Sequence, residues 1–311
     1  MTTSHFYHNT PVFQAHRLNN ILPFQVSYKM ECFQPSGSFK IRGMETVLKD
    51  LASQGLKTVL CSSGGNAGYS LAYVGKHMGF AVKIIVPKTT SAYMIDKINT
   101  LGAEVEIHGD NWNEAHLHAT ALSENLQLPY VPPFDHPLLW QGHSTLIDEC
   151  AQVMPAPDRI VVAVGGGGLL CGVFEGMLRN NWLKTKVVTA ETEGAASFAK
   201  SFAEGRLIEL PSIDTIATSL GAKQVAAKAL EYASQFDIET HVTSDRDAFQ
   251  ACVEFFQDQH LLVEPACGAA LSYPILKQAE IESNEKVLVI ACGGVNMGPD
   301  AYAHYFEQFN C

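Results

Sequence analysis

The feature that most constrains this chain is the regular alternation of strand-like and helix-like segments. Residues 56–63 and 81–87 are short, apolar and rich in β-branched side chains, and residues 103–109 follow as a third strand-like segment. The intervening residues 64–79 and 91–102 have the length of helices. This order predicts a β-α-β-α-β unit, in which helices cross over between parallel strands of one sheet.

A second α/β run follows a proline-rich loop. Residues 128–137 contain four prolines, and proline fixes φ and removes a backbone donor, so this segment marks a boundary. Beyond it, helix-like stretches separate the strand-like segments 158–164, 186–191 and 285–294. We therefore predict an α/β fold with two open, mostly parallel twisted sheets flanked by helices. Ligands of such folds bind in the cleft at the carboxyl ends of the strands.

Composition argues against several other classes of protein. The net charge of −11 disfavours binding to nucleic acid or to anionic membranes. The eight cysteines show no C-x-x-C spacing, so they predict neither a disulfide scaffold nor a zinc ribbon. No run of about 18 apolar residues could cross a bilayer, and residues 1–12 do not resemble a signal peptide. We expect a cytoplasmic protein.

Lys40 lies in the segment QPSGSFKIRG (34–43), where a turn of small residues leads into a helix-like stretch. A helix N-terminus is electropositive, which lowers the pKa of an amine and attracts anions. A neutral amine can form an imine with an aldehyde and can later act as a base. An ordinary solvated lysine is the alternative, and for Lys40 alone it would prevail.

The segment CSSGGNAG (61–68) joins a predicted strand to a predicted helix. Its glycines allow backbone N–H groups to converge on an anion, and Ser62, Ser63 and Asn66 add polar side chains. It could hold the carboxylate of an amino acid, and Asn66 could also bind a phenolic oxygen of a cofactor ring. The alternative is a plain βα turn of small residues.

Four consecutive glycines in VGGGGLLCG (164–172) follow another predicted strand. They leave N–H groups free to surround a phosphate at a helix N-terminus. The dinucleotide fingerprint does not fit, because its last glycine would fall on Leu170. Glu191, however, ends the next strand, where a ribose-binding acid would lie, so a Rossmann oxidoreductase stays open as an alternative.

Cys292 lies in ACGGVN (291–296), again where a predicted strand ends. A thiol with a reference pKa of about 8.5 could face a pyridine nitrogen, but it would not keep that nitrogen protonated as an aspartate would. An unprotonated ring is a weaker electron sink, which favours prompt expulsion of a β-leaving group. The alternative for Cys292 is a small buried hydrophobic residue.

Together with LVEPACGAAL (262–271), these motifs resemble those of the L-serine/L-threonine dehydratases, in the fold-type II family of pyridoxal phosphate (PLP) enzymes. The short, liver-type serine dehydratase branch is the most similar, and the resemblance runs through nearly the whole chain. It implies a larger PLP-binding domain of residues 1–35 and 136–311. A smaller α/β domain, residues 36–135, would be inserted into it.

The resemblance also implies a role for each motif. Lys40 would bind PLP covalently and act as the catalytic base, with Phe39 beside the ring. Asn66 would meet the PLP hydroxyl, and Cys292 would face the pyridine nitrogen. The phosphate would be bound by Gly165, Gly166, Gly167, Gly168 and Leu169. The substrate would be bound by Ser62, Ser63, Gly64, Gly65, Asn66 and Ala67.

Members of this family also bind a monovalent cation, usually potassium, mostly through backbone oxygens. The matching positions are Gly168, Glu191, Ala195, Ser197, Leu220 and Ala222. Glu191 would supply the single negative charge of that site, which we prefer to the ribose interpretation. The resemblance further implies a homodimer.

The implied reaction is the dehydration and deamination of L-serine to pyruvate and ammonia, and of L-threonine to 2-oxobutanoate, in amino acid catabolism. Relatives often have alanine in place of Gly64 and a polar residue in place of Val295, and both differences bear on substrate preference. Three readings remain open: the dehydratase, another fold-type II enzyme such as a β-replacing synthase or an amino acid racemase, and a non-catalytic protein.

Overall fold

A computed structural model describes residues 5–311, so the first four residues of the predicted larger domain lie outside it. The strands are β1 Val12–Gln14, β2 Gln25–Lys29, β3 Thr58–Cys61, β4 Ala81–Val86, β5 Glu104–Ile107, β6 Arg159–Ala163, β7 Lys186–Thr192, β8 Ile238–Thr243 and β9 Lys286–Ile290. The helices are α1 His16–Asn19, α2 Lys40–Ser53, α3 Asn66–Met78, α4 Ala92–Thr100, α5 Trp112–Leu126, α6 Pro137–Val153, α7 Gly168–Arg179, α8 Ser197–Glu204, α9 Ala227–Ala233, α10 Asp245–Gln259, α11 Pro265–Leu271, α12 Tyr273–Leu276 and α13 Pro299–Phe309.

These strands form two open sheets, which confirms the predicted fold class. The larger sheet has the order β1-β2-β9-β6-β7-β8, and all its pairings are parallel except that of β1 with β2. The smaller sheet is parallel, with the order β3-β4-β5. Its strands all come from the predicted insert of residues 36–135, although the domain boundaries themselves stay a prediction.

The central strands of the larger sheet explain why the sequence signal was strong there. Every residue of β6 is buried, and so is all of β9 after its first residue. Parallel strands covered by helices on both faces are continuously apolar, as β6 and β9 are. Helices α6 and α7 pack against each other beside this sheet. The core therefore holds the ends of these strands in fixed positions.

The last predicted strand, residues 285–294, is shorter in the structure and ends at Ile290. Gly293 and Gly294 have φ of +85° and +140°, where side-chain-bearing residues are rarely found, so the chain turns away from the sheet. This turn carries the ACGGVN motif towards the start of α2. Within residues 5–311, no helix is long and apolar enough to cross a membrane.

Candidate active site

Lys40 is the first residue of α2, as the small-residue turn before it predicts. Its Nζ donates a hydrogen bond of 2.7 Å to the carbonyl oxygen of Pro133, in the proline-rich loop. Loss of hydration lowers the pKa of its amine to about 8, although the neighbouring Cys61, Cys292 and Glu264 act in the opposite direction. At this pKa a large share of the amine is neutral near pH 8, the form that a nucleophile or base requires.

Arg42 anchors the start of α2 from the opposite side of the helix, a role that the sequence did not reveal. Its side chain is fully buried, and it donates hydrogen bonds of 2.7 and 2.8 Å to Glu31 and of 2.6 and 2.8 Å to Glu149. Lys29 also bonds to Glu149, at 2.5 Å. Two buried cations and two carboxylates therefore fix the position of the helix that begins with Lys40.

The ACGGVN motif lies directly against the residues before Lys40. The amide of Phe39 donates to the carbonyl oxygen of Cys292 at 3.3 Å, and the amide of Gly294 donates to that of Gly37 at 2.9 Å. A side chain on Gly293 would come within 2.2 Å of the Gly37 oxygen, so the close approach requires glycine. Cys292 is buried, and a hydrogen bond with Cys267, together with burial, raises the pKa of its thiol well above the usual range.

Asn66, the first residue of α3, has its side-chain amide fixed by three contacts. Its Oδ1 accepts a hydrogen bond of 2.8 Å from the amide of Val295, and its Nδ2 donates to Glu264 at 2.7 Å and to Ser219 at 3.2 Å. A backbone N–H can only donate, so the orientation of the Asn66 amide is unambiguous. Burial raises the pKa of the Glu264 carboxyl, which the hydrogen bonds from Ser219 and Asn66 oppose.

The four glycines lie where neighbouring chain segments leave no room for side chains. A Cβ on Gly166 would come within 2.3 Å of the Phe134 ring, and one on Gly165 within 2.9 Å of the Ser219 carbonyl oxygen. Gly167 has a φ of +84° and leads directly into α7. Phe134 follows the residue that binds Lys40, and Ser219 binds Asn66. The glycine loop is therefore linked to the Lys40 segment through Phe134 and to the Asn66 segment through Ser219.

The CSSGGNAG loop is held from the side of the smaller sheet. The Ser62 hydroxyl is fully buried and lies 2.5 Å from the hydroxyl of Tyr130, which in turn lies 2.8 Å from Nδ1 of His116. A Cβ on Gly64 would lie 2.6 Å from Cγ2 of Thr90. Thr90 therefore occupies the space that a methyl group at position 64 would need. Ala67 is buried, and Ser63 Oγ accepts a long hydrogen bond of 3.4 Å from the Gly65 amide.

The predicted cation positions fall into two groups. Glu191 is buried at the end of β7, and its two oxygens accept hydrogen bonds of 2.8 and 2.7 Å from the amides of Phe198 and Ala199, at the start of α8. Burial raises the pKa of this carboxyl to about 7. Ala195 and Ser197 precede these amides, and the buried Ser197 hydroxyl has no hydrogen-bond partner within the described residues.

The second group adjoins the glycine loop. Leu220 lies against Gly165, where a Cβ would come within 2.9 Å of its Cα. The carbonyl oxygen of Leu220 accepts a hydrogen bond of 2.8 Å from the amide of Ala222. Gly168, the other member of this group, begins α7.

Several residues at this centre were not predicted individually. Glu264 lies inside the LVEPACGAAL motif and Asn296 is the last residue of ACGGVN, but the motifs do not indicate a role for either side chain. Asn296 Nδ2 donates to Ser219 Oγ at 2.7 Å, and its side chain lies over Gly65, where a Cβ would come within 2.9 Å of it. Ser219 has no sequence signal, because it lies in a single 3-10 turn, Thr218–Leu220, which is too short to show a pattern.

A lysine, a glycine loop at a helix start, an oriented amide and a neutral thiol therefore meet at one place. The sequence model of the family described as pyridoxal-phosphate dependent enzyme matches residues 3–293. The chain belongs to this family. The expected resemblance is thus confirmed.

Similar proteins with known names agree with this membership. The human L-serine dehydratase/L-threonine deaminase is 40% identical over 298 residues, which cover 93% of this chain and 91% of that protein. A fungal L-serine ammonia-lyase from Rhizomucor miehei has a structure that matches with a TM-score of 0.92, at 32% identity over 98% of this chain and 100% of that one. A maize serine racemase shares the fold, with a TM-score of 0.88 at 24% identity over 97% and 92% of the two chains.

The chemistry of the site suits the cofactor of this PLP family. The glycine loop leads directly into α7 and so presents the electropositive helix start that a phosphate requires. The Lys40 amine has a lowered pKa, as imine formation with an aldehyde requires. The Cys292 thiol stays neutral, and Asn66 presents a donor of fixed orientation. These observations match a phosphate, an aldehyde, a pyridine nitrogen and a phenolic oxygen.

Proposed function

We propose that this chain is an L-serine ammonia-lyase, which converts L-serine to pyruvate and ammonia and L-threonine to 2-oxobutanoate and ammonia. The observation that carries the proposal is the position of Lys40, whose lowered amine pKa coincides with the meeting point of the other three motifs. The names of the human and fungal relatives support the same reaction. Over the whole reaction, the water lost from the substrate is returned when the imine product hydrolyses.

Each motif has a binding role in this proposal. Lys40 holds the cofactor covalently, and Phe39 lies beside the ring. The phosphate binds to the amides of Gly165, Gly166, Gly167, Gly168 and Leu169. Asn66 Nδ2 would donate to the phenolic oxygen with the N–H that otherwise makes the long, 3.2 Å hydrogen bond to Ser219, while its other N–H stays bound to Glu264. Cys292 would face the pyridine nitrogen as a neutral thiol, because its pKa is raised. When bound, PLP withdraws electrons from the α-carbon of the substrate.

The protein itself orients the substrate and moves the proton. The substrate carboxylate is bound by Ser62, Ser63, Gly64, Gly65, Asn66 and Ala67. No side chain within residues 5–311 caps the start of α3 there, and the helix N-terminus favours a negative charge. With PLP bound, the Lys40 amine would accept the α-proton. The β-hydroxyl would leave together with one proton, so that the groups lost from the substrate add up to one water molecule.

The decisive experiment replaces Lys40. Lys40→Ala should abolish both the absorption band of the covalently bound cofactor and pyruvate formation from L-serine. Lys49→Ala is the matched control, because Lys49 lies on the same helix but is partly exposed and paired with Glu45. It should keep both signals. Retention of the band and of turnover in Lys40→Ala would refute the assignment.

A substrate panel separates the dehydratase from the other enzymes of this fold. The maize racemase shares the scaffold at 24% identity, so the fold alone does not decide between reactions. We expect pyruvate from L-serine and 2-oxobutanoate from L-threonine. D-serine formed in excess of pyruvate would support a racemase instead. Cysteine formed from O-acetylserine and sulfide, without pyruvate from serine, would support a β-replacing synthase.

We also propose that a monovalent cation, K⁺, binds beside the glycine loop at Gly168, Glu191, Ala195, Ser197, Leu220 and Ala222. The buried Glu191 carboxylate supports this site, and so does the Ser197 hydroxyl, which has no hydrogen-bond partner in the described part of the chain. K⁺ should raise the melting temperature and the activity above their values in tetramethylammonium buffer. Glu191→Gln should remove both effects, and equal K⁺ responses in the two proteins would contradict the site.

The homodimer and the cytoplasmic location belong to this proposal as well. Light scattering coupled to size exclusion tests the first and should give twice the chain mass of 33.9 kDa. Imaging of the tagged protein in its own cell tests the second.

A further inference from the structure

Three side chains able to bind a metal ion meet on the smaller sheet, outside the candidate active site. Glu106 lies in β5, His108 follows that strand directly, and His118 lies in α5. Their ligand atoms all lie within 4.8 Å of one another. Glu106 and His108 are two residues apart, so an extended chain presents both on one face. The strand and the helix therefore bring together a carboxylate and two imidazoles.

Two contacts already link the three residues of this cluster. Nε2 of His118 lies 2.7 Å from Oε1 of Glu106. The rings of His108 and His118 are stacked, with centroids 3.8 Å apart and planes inclined by 9°. His108 is exposed, whereas Glu106 and His118 are half-buried. The cluster is therefore open to solvent on the side of His108.

The charge around the cluster favours a cation. A hydrogen bond from Lys83, together with one from His118, lowers the pKa of the Glu106 carboxyl, so this ligand is ionised at neutral pH. Lys83 competes with a metal ion for Glu106, at 2.8 Å from Oε2, but it also lies 2.8 Å from Glu104. It therefore keeps a partner if a metal ion binds Glu106. The carboxylates of Glu104 and Glu106 and the ammonium of Lys83 together carry one net negative charge.

We propose that Glu106, His108 and His118 bind a divalent transition-metal ion such as Zn²⁺ or Ni²⁺. Two imidazoles and one carboxylate are a ligand set for such ions, with water in the remaining position. Ligands at about 2.1 Å in tetrahedral geometry are about 3.4 Å apart. The His118–Glu106 pair must therefore open by about 0.7 Å when the ion replaces the bridging proton. The longest separation, which is at most 4.8 Å, must shorten by at most about 1.4 Å, and the two stacked rings must tilt so that their in-plane lone pairs converge on the ion. Both changes require the exposed His108 ring to rotate.

The experiment titrates the PLP-loaded protein with NiCl₂ and with ZnCl₂ in an isothermal calorimeter. We expect one ion per chain with a Kd below about 100 μM, which is within the usual range of a calorimetric titration. His108→Ala and His118→Ala should each weaken binding at least tenfold. His77→Ala is the matched control, because His77 is an exposed histidine on α3 whose Nδ1 lies 2.8 Å from the carbonyl oxygen of Tyr73. It should not change the affinity.

A fourth variant tests the role of the competing ammonium. Lys83→Met removes the cation that shares Glu106, so binding should tighten by at least threefold. Circular dichroism and cofactor content should match the parent protein in all variants, since these side chains are at least partly exposed. The proposal is overturned if neither histidine variant weakens binding, as expected if the thiols or the cofactor bound the ion instead. It is equally overturned if no stoichiometric binding occurs below 1 mM metal ion.

Discussion

Arg42→Met should strongly destabilise the fold, because Arg42 is the shared cation of a buried network. Its guanidinium pairs with Glu31 and Glu149, and the side chains of Arg42 and Glu31 are completely buried. Methionine is apolar and of similar length, so it fills much of the same space. The substitution therefore removes the charge and its hydrogen bonds while it limits the cavity.

The magnitude follows from what remains after the substitution. Glu31 would keep hydrogen bonds from Thr10 at 2.5 Å and Gln34 at 3.2 Å, but it would lose the guanidinium. Removing one partner of a buried ion pair costs about 3–5 kcal/mol, because the other charge is left uncompensated. Proteins of this kind have a free energy of unfolding of about 5–15 kcal/mol. The variant should therefore lose a large part of its stability.

Urea unfolding followed by circular dichroism measures the loss, with and without saturating PLP, because a ligand that binds only the folded state raises apparent stability. Arg179→Met is the control, since its pair with Asp148 is partly exposed to solvent and should contribute at most about 1 kcal/mol. Glu31→Gln in the Arg42→Met background should recover part of the loss, because it neutralises the stranded carboxylate. A loss no larger than that of Arg179→Met, or no recovery in the double variant, would refute the reasoning.

Three further predictions concern single groups. Burial would raise the pKa of Glu31, but the Arg42 guanidinium lowers it overall. The ionised Glu31 should therefore stabilise the fold fully above its unfolded-state pKa of about 4.3, and this contribution should be lost as the pH falls through the lower folded-state pKa. In Glu31→Gln the free energy of unfolding should consequently fall less steeply as the pH is lowered. Gly64→Ala places a methyl group 2.6 Å from Thr90 Cγ2 and should lower the free energy of unfolding by about 1–3 kcal/mol. The double variant Gly64→Ala/Thr90→Ala should recover this stability. Urea unfolding and the KM for L-serine measure both effects. Glu264→Leu leaves an N–H of Asn66 unpaired, which costs about 1–3 kcal/mol, and should weaken cofactor binding about tenfold. Glu264→Gln keeps an acceptor and should bind PLP with an affinity within a few-fold of that of the parent protein. Fluorescence titration with PLP measures both affinities.

The sequence predicted those parts of the fold and site that depend on local patterns. The buried strand β6 has a continuous apolar run, and the glycine loop after it is visible as four letters. The strand β2, in contrast, has the sequence QVSYK and was not predicted, because polar and apolar residues are mixed in it and its partner β9 is far away in sequence. Helix α6 escaped as well, although Pro137 in its first turn is a common helix-start signal.

The residues that sequence reasoning missed act through partners that are distant along the chain. Arg42 bonds to Glu149, 107 positions away, and Asn66 bonds to Glu264, 198 positions away. Periodicity and motif spacing describe neighbours within one element, so they cannot indicate such pairs. The same argument explains Gly293, whose need for glycine arises from its φ of +85° and from its close contact with Gly37, neither of which the sequence indicates. The chemistry of Lys40 could be read from its motif, whereas the groups that hold Lys40 in place required the fold.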